Sequence, residues 1–253
     1  MGKIISVANQ KGGVGKTTTS INISAMLAKK NKKVLLVDAD PQGNATSGLG
    51  ISKDTGFSTY DVLINEVEIP NVIQKMELKS LDICPANTSL AGAEVELVSA
   101  VGREYRLKDK LDKVKDYYDY IIIDCPPSLG LITLNALSAS DSVLIPVQCE
   151  YFALEGVGEL LKTIELVKKY YNRSLIIEGA LLTMYDQRTK LSNQVVVEIN
   201  KYFENKVFET VIPRNVRLSE APSYGLPIVI YDPLSKGARS YDKFVKEFLK
   251  KNK

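Results

Sequence analysis

The sequence predicts an α/β fold in which a doubly wound, mostly parallel sheet is flanked by helices. Strand-like and helix-like segments alternate along the 253 residues, and this order is typical of parallel sheets with right-handed crossovers. Some strand segments are near-continuous β-branched runs, such as Tyr120-Ile121-Ile122-Ile123, which suit strands buried on both faces. No repeat, linker or low-complexity tract interrupts the pattern. We therefore expect residues 1–253 to form one domain.

The individual elements follow from local periodicity. Apolar and β-branched runs of strand length predict strands at residues 3–8, 33–38, 80–84, 120–124, 142–148, 175–184, 206–208 and 227–230. Apolar residues at helical spacing predict helices at residues 17–30, 58–65, about 91–115, 130–138, 153–170, 190–203 and 236–250. In such a sheet, ligands bind at the carboxyl ends of the strands.

Composition limits the functional classes. The chain is 45% hydrophobic and 25% charged, as is ordinary for globular proteins, and no apolar run approaches the roughly 20 residues that a membrane span needs. Three scattered cysteines, Cys84, Cys125 and Cys149, form no Cys-x-x-Cys pair and argue against a zinc or iron–sulfur site. We expect no signal peptide and a cytoplasmic location. Because the chain has no histidine, a general base must be a carboxylate, a lysine or a positioned water.

A glycine-rich segment between the first strand and the first helix is the most specific feature. It comprises Lys11, Gly12, Gly13, Val14, Gly15, Lys16, Thr17 and Thr18. Glycines let backbone N–H groups close around phosphate oxygens, while the helix N-terminus and Lys16 add positive charge. Thr17 is placed to offer its hydroxyl to Mg²⁺. A glycine turn with incidental lysines is the alternative, but the flanking strand and helix favour a nucleotide phosphate-binding loop.

The loop departs from the usual pattern at its start. Gln10 stands where the standard pattern has a glycine, and a second lysine, Lys11, follows it. Lys11 could add charge between the β- and γ-phosphates, as an arginine finger does. A short loop cannot easily direct Lys11 and Lys16 at the same phosphates. This suggests that one of them acts on the nucleotide of a neighbouring subunit.

Three aspartates at predicted strand ends would face the loop. Asp38 and Asp40 alternate, so their side chains point to the same side of the chain. We expect Asp40 to orient or activate the attacking water and Asp38 to have a Mg²⁺-linked role. Asp124 ends a buried run, where phosphate-loop enzymes place a direct or indirect Mg²⁺ partner. Turn formation is the alternative for Asp38 and Asp40, and a strand-end cap is the alternative for Asp124.

Together these motifs resemble the ParA/MinD family of deviant Walker ATPases. The resemblance is carried by the loop, by Asp38-Ala39-Asp40-Pro41-Gln42-Gly43-Asn44 and by Ile122-Ile123-Asp124-Cys125-Pro126-Pro127-Ser128. Residues 91–94, 146–150 and 212–222 are similar to the chromosomal ParA branch, called Soj. The resemblance covers essentially the whole chain.

The resemblance implies an ATPase that uses ATP, ADP and Mg²⁺ and forms an ATP-dependent homodimer. Lys11, Lys16 and Asp40 then act in catalysis, with Lys11 reaching the partner's ATP and Gly12 permitting close approach of the subunits. The resemblance further implies that Pro213 and Asn215 contact the adenosine moiety. It also implies that Arg217 and Arg188 help the dimer to bind double-stranded DNA without sequence preference. The implied partner is a ParB (Spo0J-like) centromere-binding protein, and the implied location is the nucleoid.

Other functions remain open from the sequence. A MinD-like membrane-associated ATPase would use a terminal amphipathic helix, and Phe244, Val245, Phe248 and Leu249 form an apolar stripe there. We expect this stripe to pack on the domain, without stable membrane association. A metabolic phosphate-loop enzyme is the second alternative. The third is a nucleotide-gated scaffold without turnover, in which Asp40 would be idle.

Overall fold

A seven-stranded sheet organises the part of the chain that the computed structural model describes, residues 2–54, 56–150, 153–203 and 206–252. Its strands are β1 (Lys3–Val7), β2 (Val34–Asp38), β3 (Gln74–Lys75), β4 (Leu81–Cys84), β5 (Tyr120–Asp124), β6 (Ser142–Gln148) and β7 (Ile176–Thr183). They lie in the order β3-β4-β2-β5-β1-β6-β7. Every described strand pair is parallel except β3 with β4. The predicted α/β fold is confirmed.

Helices cover both faces of this sheet. In the described residues they are α1 (Lys16–Lys29), α2 (Asn44–Gly48), α3 (Thr59–Leu63), α4 (Leu90–Glu96), α5 (Arg106–Asp112), α6 (Leu131–Ala139), α7 (Ala153–Tyr170), α8 (Lys190–Phe203), α9 (Val216–Glu220), α10 (Ile228–Tyr231) and α11 (Lys236–Lys251). The helices α1, α10 and α11 cover one face, and α3 to α8 cover the other. None of these helices is both long and apolar enough to cross a membrane.

Alternate residues of the central strands supply two hydrophobic clusters, one on each face. In β1, Ile4 belongs to one cluster and Ile5 to the other, and in β5 Ile121 and Ile122 divide in the same way. All four side chains are fully buried. Because both faces are covered, these strands carry continuous apolar runs and show no alternation with polar residues.

The apolar stripe of α11 belongs to the core. Tyr241, Phe244 and Phe248 are at most 1% exposed. The Phe244 ring centroid lies 4.8 Å from that of Phe208, and the Phe248 ring centroid lies 5.5 Å from that of Tyr120 in β5. Burial of a large apolar side chain contributes ~1.5–3 kcal/mol. The last helix therefore stabilises the sheet, as the sequence predicted.

The strand predicted at residues 227–230 is wrong, because Ile228–Tyr231 forms the helix α10. This segment packs on α1, away from the sheet, so no neighbouring strand can pair with it. The Ile228 amide instead donates to Asn22 Oδ1 at 2.8 Å. Burial of Ile228 and Val229 against α1 and α11 explains the apolar run equally well.

The structure also corrects the length of two other predicted elements. The helix predicted at about 91–115 is divided into α4 and α5, with Gly102 at a left-handed φ of 64° between them. In the described residues, the strand predicted at 206–208 is reduced to a bridge between Val207 and Ala180. The other predicted helices and strands agree with the structure to within a few residues at their ends.

Candidate active site

The loop between β1 and α1 has the geometry of a phosphate-binding loop. Gly13 and Gly15 have left-handed φ values of 75° and 86°, which residues with side chains rarely adopt. Helix α1 begins at Lys16, directly after Gly15. The first amide groups of α1 and its dipole therefore lie at the loop, where they attract anions.

Two side chains that the sequence did not single out hold this loop in place. Asn9 Nδ2 donates to the Pro146 carbonyl at 2.7 Å, and Asn9 Oδ1 accepts from the Lys11 amide at 3.0 Å. From β7, Thr183 Oγ1 donates to the Val14 carbonyl at 2.8 Å. Asn9 and Pro146 are 137 residues apart, and Thr183 and Val14 are 169 apart. No local pattern could have indicated these two long-range contacts.

The strand register brings the predicted carboxylates together beside the loop. Asp38 at the end of β2 pairs with Asp124 at the end of β5, and Asp124 pairs with Val7 at the end of β1. Asp38 and Asp124 are fully buried, and Asp40 is 6% exposed. These groups lie at the carboxyl edge of the sheet, where doubly wound proteins bind their ligands.

Asp124 is the most perturbed of the three carboxylates. Burial, together with the nearby charge of Asp38, raises the pKa of Asp124 to about 8, although the hydroxyls of Ser20 and Thr17 oppose this change. Ser20 Oγ donates to Asp124 Oδ1 at 2.8 Å, whereas Oδ2 has no hydrogen-bond partner among the described residues. A buried carboxylate with an unpaired oxygen favours a nearby cation. Asp124 beside Thr17 therefore fits Mg²⁺, which takes oxygen ligands from one or two carboxylates in nucleotide sites.

Asp38 organises the segment that follows β2. Its Oδ2 accepts from the amide and the hydroxyl of Thr46 at 2.8 and 2.7 Å, and its Oδ1 accepts from the Asp40 amide at 3.1 Å. Burial raises the pKa of Asp38 to about 6, while the hydrogen bonds from Thr46 lower it. Because both oxygens are engaged, these contacts favour a role in placing Asp40 and α2 over a direct bond to Mg²⁺.

The two lysines of the loop extend in different directions. Lys16 is 7% exposed, and its Nζ donates to the Lys11 carbonyl at 3.2 Å. Burial lowers the pKa of Lys16, and the nearby charge of Asp124 offsets part of that change. The Lys11 side chain is 29% exposed, and its Nζ lies 3.8 Å from Glu150 Oε2. Lys16 is thus enclosed by the loop, whereas Lys11 extends away from it.

A cavity of ≈ 340 Å³ lies beside the loop. Its lining includes Gly15 and Thr18 at the start of α1, Thr183 in β7, and Pro213 and Asn215 before α9. The side chain of Asn215 also accepts from an amide in the first turn of α9 at 3.3 Å. The structure brings Pro213 and Asn215 next to the loop, and their contact with adenosine stays a prediction.

Both arginines predicted to bind DNA are exposed and paired with acids. Arg188 makes two hydrogen bonds of 3.0 and 2.8 Å to Asp186, and these bonds lower the pKa of Asp186 to about 2. Arg217 lies 2.9 Å from Glu220 and 3.5 Å from Asp232. A DNA phosphate would compete with these carboxylates, and the role of the two arginines stays a prediction.

Comparison with known proteins identifies the family. The family profile described as "AAA domain" matches residues 2–177. The chain is 61% identical over 248 residues to the sporulation initiation inhibitor protein Soj of Bacillus subtilis, and the match covers 98% of each chain. The chain belongs to the ParA/MinD family of ATPases, in its Soj/ParA branch. It is 55% identical over 253 residues to the chromosome partitioning protein ParA of Myxococcus xanthus, covering 100% of this chain and 89% of that protein.

The solved structures agree with membership of this ATPase family. The cobyrinic acid a,c-diamide synthase of Mycobacterium smegmatis, with a bound ATP analogue and magnesium, superposes with a TM-score of 0.87 and 41% identity. The match covers 99% of this chain and 95% of that one. The order of strands and helices of this Soj/ParA-branch ATPase is therefore shared with a protein that binds Mg²⁺ and an adenine nucleotide.

Proposed function

We propose that this Soj/ParA-branch ATPase is a nucleotide-gated switch for DNA partition, with ATP, ADP and Mg²⁺ as its ligands. ATP joins two copies into a dimer, and the dimer binds double-stranded DNA on the nucleoid without sequence preference. A ParB-type centromere-binding protein stimulates hydrolysis and so releases the DNA. The observation that carries this proposal is that the loop encloses the Lys16 side chain, whereas the Lys11 side chain extends away from the loop.

The surroundings of the two lysines support a role for Lys11 in a second subunit. Lys16 already occupies the interior of its own loop. Lys11 is held instead by Glu150, which also accepts from Gln148 Nε2 at 2.6 Å and lies 3.5 Å from Arg214. A partly exposed ion pair at 3.8 Å contributes little to stability. Lys11 can therefore leave Glu150 at small cost and reach a nucleotide bound by the partner subunit.

Gly12 supports the close approach of a second molecule to the loop. A Cβ placed on Gly12 would meet no atom of the described residues within 4 Å, and its φ is outside the left-handed region. Packing within the described chain and backbone conformation therefore do not require a glycine here. A subunit or nucleotide that approaches the loop backbone would supply that requirement.

The site residues divide the work of phosphoryl transfer in this proposal. The loop amides from Gly12 to Thr18 and the Lys16 amine position the ATP phosphates and neutralise their charge. Asp40, buried and close enough to Lys16 to influence its pKa, orients the attacking water. Mg²⁺ held by Thr17 and Asp124, with Asp38 behind them, would supply further charge neutralisation. Lys11 of the second subunit adds the charge that a finger residue provides, worth ~10³–10⁵ in rate.

The segment that lines the cavity beside the phosphate-binding loop also carries Arg217, one of the proposed DNA contacts. Pro213 and Asn215 line the cavity, and Arg217 lies in the first turn of α9, directly behind them. A nucleotide in the cavity would contact this segment, and dimerisation would present two copies of it to one duplex. Two weak sites on one DNA gain from effective concentration. ATP and DNA would then favour each other's binding through a shared dimeric state.

The alternatives have weaker support. Membrane anchoring through α11 would require Phe244 and Phe248 to leave a core in which they are fully buried. The diamide synthase is a less similar relative than Soj, at 41% against 61% identity. The similarity over the whole chain to proteins named for chromosome partition favours the partition function.

DNA binding under three nucleotide conditions tests the proposal. The protein would be mixed with random-sequence duplex DNA without nucleotide, with ADP and with ATP, at two salt concentrations, and analysed by mobility shift. Binding only with ATP, weakened steeply by salt as phosphate contacts require, is the expected result. Absence of DNA binding in every state, with ATP-dependent binding to anionic liposomes, would favour the membrane function instead.

A further inference from the structure

The first turn of α6 is capped by a side chain from a distant helix. The backbone amides of Leu131 and Ile132 donate to the carboxylate of Glu94, at 2.7 and 3.3 Å. Glu94 lies in α4, 37 residues before Leu131. The N-cap residue itself, Gly130, has no side chain to do this. An acidic group is well suited to a helix N-terminus, because it satisfies unpaired N–H groups and faces the positive end of the dipole.

The absence of a side chain at Gly130 leaves room for the carboxylate of Glu94. Its φ of −84° and ψ of −164° are accessible to any residue. A Cβ at this position, however, would lie 2.5 Å from both carboxylate oxygens of Glu94. Glu94 and Gly130 therefore form a matched pair, in which the missing side chain of one makes room for the carboxylate of the other.

This pair fixes the far end of the loop that follows Asp124. That loop comprises residues 125–130. At its start, the Cys125 amide donates to the Val7 carbonyl at 3.2 Å. Towards the far end, Thr133 Oγ1 donates to the Ser128 carbonyl at 2.6 Å. Between these points, Pro127 and Ser128 are exposed. The loop is thus anchored on the strand side by the Cys125 amide and on the helix side by Glu94.

The segment that leads into α4 is linked to Asp38 through Thr46. The Ala86 amide donates to Thr46 Oγ1 at 2.9 Å, and Thr46 Oγ1 donates to Asp38 Oδ2 at 2.7 Å. We infer that Glu94 is a positioning residue for ATP hydrolysis, which holds the 125–130 loop in register with the segment carrying Asp38 and Asp40. Glu94 itself does not line the cavity beside the phosphate-binding loop, and it acts through the backbone of α6.

The test uses five variants of the full chain. Glu94→Ala removes the cap, Glu94→Gln keeps one acceptor oxygen, and Gly130→Ala displaces the carboxylate. The double variant E94A/G130A combines the first and third changes. Glu96→Ala is the matched control, because Glu96 lies in the same helix and bonds the Tyr60 hydroxyl instead. Steady-state ATPase rates give kcat and KM, and thermal unfolding reports the folded fraction.

Glu94→Ala and Gly130→Ala should each lower kcat about tenfold, which corresponds to ~1.4 kcal/mol of activation free energy. KM for ATP should change by less than about twofold, because the phosphate loop is untouched. Glu94→Gln should recover part of the rate, Glu96→Ala should match wild type, and the double variant should be no slower than either single variant. A wild-type kcat in Glu94→Ala would overturn the inference. The inference would also be overturned if the two losses in kcat multiply in the double variant. A loss in kcat that only follows the fraction of unfolded protein would overturn it as well.

Discussion

Replacing Asp124 with asparagine should stabilise the protein at pH 8 in the absence of nucleotide and Mg²⁺. The pKa of this fully buried carboxyl is raised from 3.8 to about 8, mainly by burial. A group whose pKa is higher in the folded state binds more protons there, so stability falls as pH rises between the unfolded and folded values. Asp124 therefore lowers stability progressively from about pH 4 to about pH 8. Asp38, with a pKa of about 6, acts in the same direction over the lower part of this range.

The structure sets the size of the effect. Each pKa unit between the folded and unfolded states is worth ~1.4 kcal/mol, so ionised Asp124 costs several kcal/mol at pH 8. Asparagine keeps an oxygen for the bond from Ser20 Oγ, but it places an amide group where Oδ2 finds no described partner. An unsatisfied polar group costs about 1–3 kcal/mol. The expected net gain, after the cost of the unsatisfied amide is subtracted, is ~2–5 kcal/mol at pH 8 and smaller at pH 5.

Urea unfolding in EDTA at pH 5 and pH 8, followed by circular dichroism, measures this difference. Asp116→Asn, at an exposed aspartate, is the control and should stay within ~0.5 kcal/mol of wild type. The difference between Asp124→Asn and wild type reports the titration of Asp124 together with its electrostatic coupling to Asp38. A variant that is less stable than wild type at pH 8, or a difference that does not grow from pH 5 to pH 8, would refute the raised pKa.

Three other substitutions have distinct expected outcomes. Lys16→Ala should abolish ATP binding by calorimetry, because the buried amine is the main positive charge inside the loop; retained affinity with normal Mg²⁺ dependence would count against the loop assignment. Arg217→Glu should keep ATP binding and dimerisation but lose DNA binding, with exposed Arg173→Glu as the control, and a loss of dimerisation would make Arg217 an interface or structural residue. Phe248→Ala should destabilise the protein by ~3–5 kcal/mol in urea, as core aromatic truncations do, whereas unchanged stability would place α11 outside the core.

The sequence predicted the central sheet and the phosphate loop because both are encoded locally. The buried β-branched runs and the Gly-Lys-Thr segment each determine their own conformation. The apolar run at residues 227–230 led to a wrong prediction, because such residues are equally suited to a short buried helix and to a strand. Tertiary contacts, such as the hydrogen bond from the Ile228 amide to the Asn22 side chain, decide between the two. The break near Gly102 was missed for a similar reason, since Val98, Val101 and Tyr105 continue an apolar spacing of three to four residues across it.

In the candidate site, too, local features could be predicted from the sequence, whereas contacts between distant segments could not. Asp38, Asp40 and Asp124 could be proposed from strand ends, and the register of β2, β5 and β1 brings them to the loop. The contacts of Asn9, Thr183 and Glu94 could not be proposed, because each joins segments that are distant in the chain. Their partners are backbone groups, which no side-chain motif reveals.

Mixing two inactive variants tests the central proposal, that Lys11 acts on the nucleotide of the partner subunit. Lys11→Ala and Asp40→Ala should each be nearly inactive alone. If they are combined in equal amounts before ATP is added and pair at random, half of the dimers are mixed. Each mixed dimer then has one complete site, made of Lys16 and Asp40 of one subunit and Lys11 of the other. ATPase activity of about a quarter of wild type is expected for this symmetric arrangement. A mixture as inactive as its components would show that Lys11 serves its own nucleotide and would contradict the proposal.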